Sequence, residues 1–397
     1  MKRVSFFIIG ILCGVVIAFA GFIAVEAVSS SRWGGNISPE RKLTEIYNFL
    51  DQHSLAEFDI TDMLEDMYRA FVDATDDPYT RYMSTSEVTD FNARFDATFV
   101  GIGVTVLFDP ETDTTNIASI IRGTPAERAG ILPGDRIMEV DGISMVGLLQ
   151  NEVVSYVLGE EGVAVNIIMY RPLESILVEF EIIRERITIP SVFHEMLDNG
   201  IGYIRLESFD RQTENMLLAA INELKELGMK GLVLDARNNP GGLLDAATNI
   251  ASHFVPPGVI TFTENINNER IYYRRNGNPI ELPLVYLINE SSASASEVLG
   301  GAIQDAETGI LVGVQSFGKG SVQTMHPLQD GSAIMTTVSR YFTPLGRVID
   351  GVGLTPDHIV ELDEYYTRRI GFLEFEEDLQ LQYAVELLLD ILIQNKR

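Results

Sequence analysis

The chain has 397 residues, with 57 Asp and Glu against 29 Lys and Arg, a formal charge of −28. That balance excludes a broad nucleic-acid-binding role, because phosphate contacts need clustered Lys and Arg. At 46% hydrophobic and 22% charged residues it can fill a large core and is not globally disordered, and at about 150 residues per domain two or three domains are expected. A single Cys allows no intrachain disulfide and no Cys-rich zinc site. The five His include no H-x-x-x-H pair, so no metal and no cofactor are expected.

Met1, Lys2 and Arg3 precede an uncharged run of 22 residues, Val4 to Val25. At a rise of about 1.5 Å per residue such a helix crosses a bilayer core of about 30 Å. Lys2 and Arg3 on its near side predict a single-pass anchor with the rest of the protein extracytoplasmic. The alternative is a cleaved signal peptide and a secreted product, although Val25-Glu26-Ala27 is a poor cleavage site. Cys13 follows Leu12, not the small residue of a lipoprotein signal, and reads as a bilayer-facing side chain.

After a polar linker, Ser29 to Asn36, apolar residues recur at helical spacing over Pro39 to Leu50 and Asp59 to Ala74, with Asp59 as N-cap and Asp76-Asp77-Pro78 as the stop. From Phe99 to Ile183 the period turns to strands: Val100–Leu107, Asn116–Ile121, Arg136–Val140, Val163–Tyr170 and Ile176–Ile183. Short helices fit near Pro125–Ala129 and Gly147–Leu158. From Ile201 onward strands and helices alternate. Strands are expected at Ile201–Leu206, Leu232–Leu234, Leu284–Ile288 and Ile310–Val314, with helices near Thr213–Leu227, Leu243–Phe254 and Ser294–Ala306. That order implies a largely parallel sheet with crossover helices. Arg275-Asn276-Gly277-Asn278 reads as a hairpin turn, and Glu377–Gln394 as a final helix. There is no internal repeat.

Three motifs carry chemistry. Gly101-Ile102-Gly103 interrupts an apolar strand. It reads either as a Gly bulge or as backbone N–H groups placed to bind a carboxylate. Gly313 to Lys319 has P-loop spacing, but Gly320 stands where a Ser or Thr hydroxyl is needed, and Ser321 to Met325 looks extended instead of helical. Ser291-Ser292-Ala293-Ser294-Ala295-Ser296-Glu297 joins an apolar strand to a helix. It reads either as a Ser N-cap with small-residue packing or as a hydroxyl presented where the helix N-terminus favours a developing oxyanion. A serine nucleophile needs a base. No His lies in a triad setting, so Lys319, among uncharged Phe317, Gly318 and Gly320, is the natural candidate.

The run Thr124 to Ile131, then Gly134-Asp135-Arg136-Ile137 and Val140-Asp141-Gly142, resembles the PDZ pattern. The resemblance implies capture of a polypeptide's C-terminus by β-augmentation, with Gly101, Ile102 and Gly103 binding its carboxylate. S-A-S-A-S-E at 292–297, F-G-K-G-S-V-Q at 317–323 and R-N-N-P-G-G at 237–242 resemble the carboxyl-terminal processing, or tail-specific, protease family. Asp77-Pro78-Tyr79-Thr80, Gly346-Arg347 and Gly353 to Asp357 fit the same family. The resemblance covers roughly residues 40 to 395. It implies a Ser–Lys dyad with Ser294 as nucleophile, Lys319 as general base and Gln323 orienting it. The oxyanion hole would be the N–H groups of Gly241 and Ala295, with Gly242 able to replace Gly241. Asp305 matches an acidic position read here as structural support. Tyr68-Arg69-Ala70-Phe71 lacks the family's usual glycine.

The fold expected is therefore α/β multidomain. It comprises a transmembrane anchor or signal at 1–28, a helical region at 37–98 and a PDZ domain at 99–185. A crotonase-like α/β spiral protease core at 186–360 and a helical segment at 361–397 complete it. The function expected is an extracytoplasmic serine endopeptidase cutting proteins near free C-termini. The membrane is a partner through the N-terminal helix, and a homo-oligomer is expected through the N-terminal helices and the last helix. A catalytically idle PDZ scaffold and a crotonase-type acyl-coenzyme A enzyme are the alternatives. The first leaves Ser294, Lys319 and Gln323 unexplained, and the second rests on fold alone.

Overall fold

The computed structural model describes residues 38–276, 279–367 and 369–394. The Val4–Val25 segment lies outside the described residues. Among those described, no helix is long and apolar enough to cross a membrane. The protein divides into two units, Met1–Tyr68 and Arg69–Arg397.

In the first unit, the helix Pro39–His53 begins as its sequence dictates. Ser38 is the N-cap, its hydroxyl accepting from Arg41 N at 3.4 Å, and Pro39 takes a first-turn position that needs no N–H. None of its residues is buried, and Leu43, Ile46, Tyr47 and Phe49 lie exposed. The next helix, Ile60–Asp73, follows Asp59, whose carboxylate accepts from Thr61 N at 2.7 Å.

The second unit holds three main sheets. The first joins Val104–Asp109, Thr114–Ile120, Arg136–Val140, Ala164–Arg171 and Ile176–Ile183 in antiparallel pairs, with helices at Pro125–Ala129 and Gln150–Val157. Ile117, Ile137, Val165 and Ile167 fill its core. The single strand expected over Val100–Leu107 is two, Thr98–Gly101 and Val104–Asp109. Gly103 breaks it with φ +91°, and a Cβ there would lie 2.3 Å from the Thr124 Cβ.

The second sheet is the α/β core. Its order is Val192–Leu197, Ile201–Leu206, Gly231–Asp235, Leu284–Ile288, Ile310–Gly313 and His358–Ile359, parallel after the first antiparallel pair. Gly231–Asp235 and Leu284–Ile288 are buried at every position, as strands covered on both faces must be. Leu232, Leu234, Tyr286 and Ile288 face the helices Thr213–Glu226, Leu244–Ala251 and Ala295–Asp305. Val233, Val285 and Leu287 alternate with them and meet Leu381, Ala384, Val385 and Leu388 of the last helix, Leu379–Gln394. The expectation that the last helix offers its apolar face to a partner is thereby corrected. The sheet takes that face, because among the described residues no other helix covers its second side.

The third sheet is antiparallel. Ala333–Phe342 pairs with Arg81–Met83, Gly258–Asn265 and Ser321–Pro327. Gly258–Asn265 turns into Arg270–Arg275 through Asn268 at φ +60°, so this hairpin closes before Arg275. The turn expected at Arg275–Asn278 falls partly outside the described residues. Ser321–Pro327 is a strand, so no helix N-terminus follows Gly313–Lys319 to receive a phosphate, and the P-loop spacing carries no nucleotide site.

Candidate active site

Two adjacent strand ends of the α/β core are locked together by side-chain amides. Asn289 accepts from Asn238 N at 2.9 Å and donates to Asn238 Oδ1 at 2.8 Å. Ser292 Oγ donates to Ala236 O at 2.8 Å. Asn239 donates to Leu206 O and, through its carbonyl, receives Ala293 N and Ser296 Oγ. These bonds satisfy buried polar groups and bring the R-N-N-P-G-G loop against the S-A-S-A-S-E turn. Gly241 is required there. Its φ is +102°, and a Cβ would lie 2.7–2.8 Å from Ala293 O, Ala295 N and the Ser294 Cβ.

Ser294 sits at the N-cap of the Ala295–Asp305 helix with φ 56° and ψ −114°, a strained conformation for a side chain with a Cβ. Its hydroxyl makes no capping bond. Glu297 instead reaches back to the Ser294 N–H at 2.8 Å. This carboxylate is buried and takes three more donors: Ser316 Oγ at 2.6 Å, Gly318 N at 2.7 Å and Lys319 N at 2.9 Å. One side chain thus fastens the backbones of Ser294 and Lys319 to the same point. Burial raises the Glu297 pKa from its ordinary value, against the pull of those four donors.

Lys319 is half-buried, and its Nζ lies 4.7 Å from the centre of the Tyr79 ring. Burial, and then the positive charge of Arg81, lower its pKa from the ordinary lysine value. Among the described residues, Lys319 Nζ and the Ser294 hydroxyl share no hydrogen bond. Tyr341 stands between the two segments, with its hydroxyl donating to Lys319 O and facing the Ser294 side chain. Burial keeps that phenol neutral. Gln323 donates to Ser321 Oγ at 2.9 Å and Thr337 Oγ1 at 3.3 Å, and no bond joins it to Lys319.

Of the two expected oxyanion donors, the Ala295 N–H has no hydrogen-bond partner among the described residues, as befits a first helical turn. The Gly241 N–H is different, because it donates to Asn239 Oδ1 at 2.8 Å. The neighbouring Gly242 N–H has no partner among the described residues, so at this glycine pair the unengaged donor is the alternative, not the first choice. Asp305 accepts from Leu345 N and Arg347 and so braces the turn at 343–347.

Gly101, Ile102 and Gly103 lie apart from this cluster, in the first sheet region. Ile102 O accepts from Ala126 N at 2.8 Å and Gly103 O from Ile121 N at 3.0 Å. Beside them opens an apolar cavity of about 300 Å³ lined by Phe99, Ile102, Val104, Val153, Val157 and Leu158.

Sequence reasoning passed over Glu297, whose signal was the S-x-x-E capping-box pattern at 294–297. It also passed over a buried knot behind the site. The Arg237 guanidinium is fully buried, at 2.7 Å from both Asp235 and Asp378, and donates to Gln380. Burial opposes its charge, but Asp235 and Asp378 more than reverse that effect. The knot ties the start of the last helix to the strand that leads into the glycine turn.

The α/β core thus presents Ser294 on a strained strand-to-helix turn, and the Glu297 carboxylate binds its backbone and that of Lys319 together. Residues 200–360 match the profile of peptidase family S41, and residues 117–171 match that of the PDZ domain. The carboxyl-terminal-processing protease of Synechocystis is 34% identical over 320 residues, 79% of this chain and 74% of that protein. The carboxy-terminal processing protease CtpA of Bacillus subtilis is 32% identical over 326 residues, 82% of this chain and 69% of that protein. A solved Bacteroides fragilis structure described as an S41 protease is 18% identical, covers 85% of this chain and 93% of its own, and superposes with a TM-score of 0.51, which speaks for the fold. The protein belongs to the S41 carboxyl-terminal processing peptidases, serine-type proteases with a PDZ domain.

Proposed function

We infer that this protein is an extracytoplasmic endopeptidase that cuts protein substrates near their C-termini through Ser294 and Lys319. The observation that carries the reading is the Glu297 carboxylate, which holds the Ser294 and Lys319 backbones together at 2.8 and 2.9 Å. In the reaction, Ser294 Oγ attacks the scissile carbonyl while Lys319 Nζ, moving off Tyr79, takes its proton. The carbonyl oxygen becomes an oxyanion facing the Ala295 N–H and the Gly241–Gly242 turn. Collapse transfers the Lys319 proton to the leaving amine and leaves an acyl-Ser294. A water then gives one proton to Lys319 and adds as hydroxide to the acyl carbon; collapse breaks the ester bond, and Lys319 returns that proton to Ser294 Oγ as the acid product leaves. In this reading Gln323 orients Lys319 once it has swung toward Ser294.

The cavity beside Gly101–Gly103 suits an apolar C-terminal side chain, with the Ile102 and Gly103 N–H groups holding the terminal carboxylate. Amidating the C-terminus of a bound peptide removes a charge-assisted contact of about 1.5–3 kcal/mol. Calorimetric titration should show affinity falling by roughly ten-fold or more. Equal binding of acid and amide would leave the module purely structural.

Two features of the N-terminal region extend the proposal. Val4–Val25 with its Lys2-Arg3 flank anchors the protein, so protease added to intact cells or spheroplasts should digest the large domain. Full protection in a right-side-out preparation would refute this topology. The exposed Leu43, Ile46, Tyr47 and Phe49 favour a homo-oligomer through the first helix. Light scattering of a fragment beginning at Ser38 should report a dimer or larger at tens of micromolar. A monomer there would count against it.

A further inference from the structure

The Asp77-Pro78-Tyr79-Thr80-Arg81 stretch enters the reaction just described only as the place that Lys319 Nζ leaves, yet it is built firmly against the base. Asp77 accepts from Tyr79 N at 3.1 Å and Thr80 Oγ1 at 2.5 Å. Thr80 Oγ1 in turn lies 3.1 Å from Thr336 Oγ1 and accepts from Thr337 N at 3.4 Å. Arg81 then pairs with Met335, so this turn is stitched to the long strand Ala333–Phe342. The result is that the face of Tyr79 lies under Lys319 Nζ at 4.7 Å, within cation–π range, while Arg81 supplies a second positive charge.

We propose that this turn is a cap on the general base. Tyr79 is a positioning residue that parks the Lys319 ammonium off Ser294, and Arg81 opposes its charge. The inference rests on the reading of Lys319 as base. The two residues act in opposite senses. An aromatic face stabilises the ammonium and not the neutral amine, so it keeps Lys319 charged and parked. A nearby guanidinium disfavours the ammonium and helps release the amine. The other charged or titratable groups near Lys319 do not duplicate either role. Glu297 and Tyr341 bond its backbone N–H and C=O, and Asp350 is engaged by Arg340 at 3.0 Å.

The test is the pH profile of kcat/KM in the full-length protein, read beside the NMR titration of the Lys319 side chain in 13C-lysine-labelled protein. The Lys319 signal is assigned with Lys319→Arg. Tyr79→Leu should move both toward lower pH and raise kcat/KM on the acid limb about two- to five-fold. Arg81→Gln should move both toward higher pH and lower kcat/KM on that limb, and Tyr79→Phe, which keeps the ring, should match wild type. A turn that only supports the fold would lower activity at every pH in both variants and leave the titration where it was, which overturns the proposal. If the NMR titration moves in opposite directions but the rate profile does not follow, the cap stands and Lys319 is not the base.

Discussion

Glu297→Ala should cost both the stability and the turnover of this protease. The substitution leaves three backbone N–H groups, of Ser294, Gly318 and Lys319, and the Ser316 hydroxyl without their acceptor. A buried donor stranded in this way costs about 1–3 kcal/mol. The four share one carboxylate and can relax together, so the expected destabilisation is about 3–5 kcal/mol rather than the full sum. Calorimetry should show a melting point lower by roughly ten degrees, at about 2–4 °C per kcal/mol for a protein of this size. Turnover of the folded fraction should fall about a hundred-fold or more, because the serine and lysine segments lose the point that sets their spacing. Glu297→Gln should fall between, since it keeps one acceptor oxygen but turns an NH₂ group toward N–H donors. Wild-type melting and wild-type turnover in Glu297→Ala would remove the clamp from the account.

Ser294→Ala and Lys319→Ala should each abolish turnover, with the double variant no worse than either single one. The two residues carry one proton transfer between them, so losing either loses the whole step. Gln323→Ala should keep a residual rate, because Gln323 orients the amine without exchanging a proton. The pH dependence follows from the direction of the Lys319 pKa. A base works in its neutral form, so activity rises as Lys319 deprotonates. Burial and Arg81 place that rise below the pH at which an exposed lysine, near 10.4, would give it. Chelators should leave the rate unchanged.

Local chemistry made much of this legible. Leu284–Ile288, Ile201–Leu206 and Pro125–Ala129 appear where their periodicity and caps placed them, because strands buried on both faces and a Pro-started helix signal themselves over a few residues. Of the antiparallel sheet, the extended Ser321–Met325 was legible, but the hairpin of Gly258–Asn265 and Arg270–Arg275 was not, for a converse reason. Arg270–Arg275 is mostly exposed and carries three arginines, so no alternating pattern survives, and its turn depends on Asn268 in a left-handed conformation instead of a glycine pair. The last helix was recognised as a helix, but its partner was not, since only the sheet topology shows an uncovered face waiting for Leu381 and Leu388.

The site divides along the same line. Ser294 and Lys319 stood out because their neighbours are small, glycine-rich and uncharged. The second link of Glu297, across 21 and 22 residues to Gly318 and Lys319, is a tertiary contact that the capping-box pattern does not encode. Gly241 entered as an oxyanion donor implied by the family resemblance, but the engagement of its N–H by Asn239 was not legible. Tyr79 reaches Lys319 only because Arg81–Met83 joins Ala333–Phe342, a strand far along the sequence.

The most direct measurement is cleavage of a labelled peptide with a free C-terminus by purified wild type and by Lys319→Ala, with circular dichroism confirming that the variant is folded. The account predicts steady product formation by wild type, rising with pH, and none above the uncatalysed rate from Lys319→Ala at any pH. A folded Lys319→Ala that retains most of the wild-type rate would contradict it and send the search for a base to the five histidines.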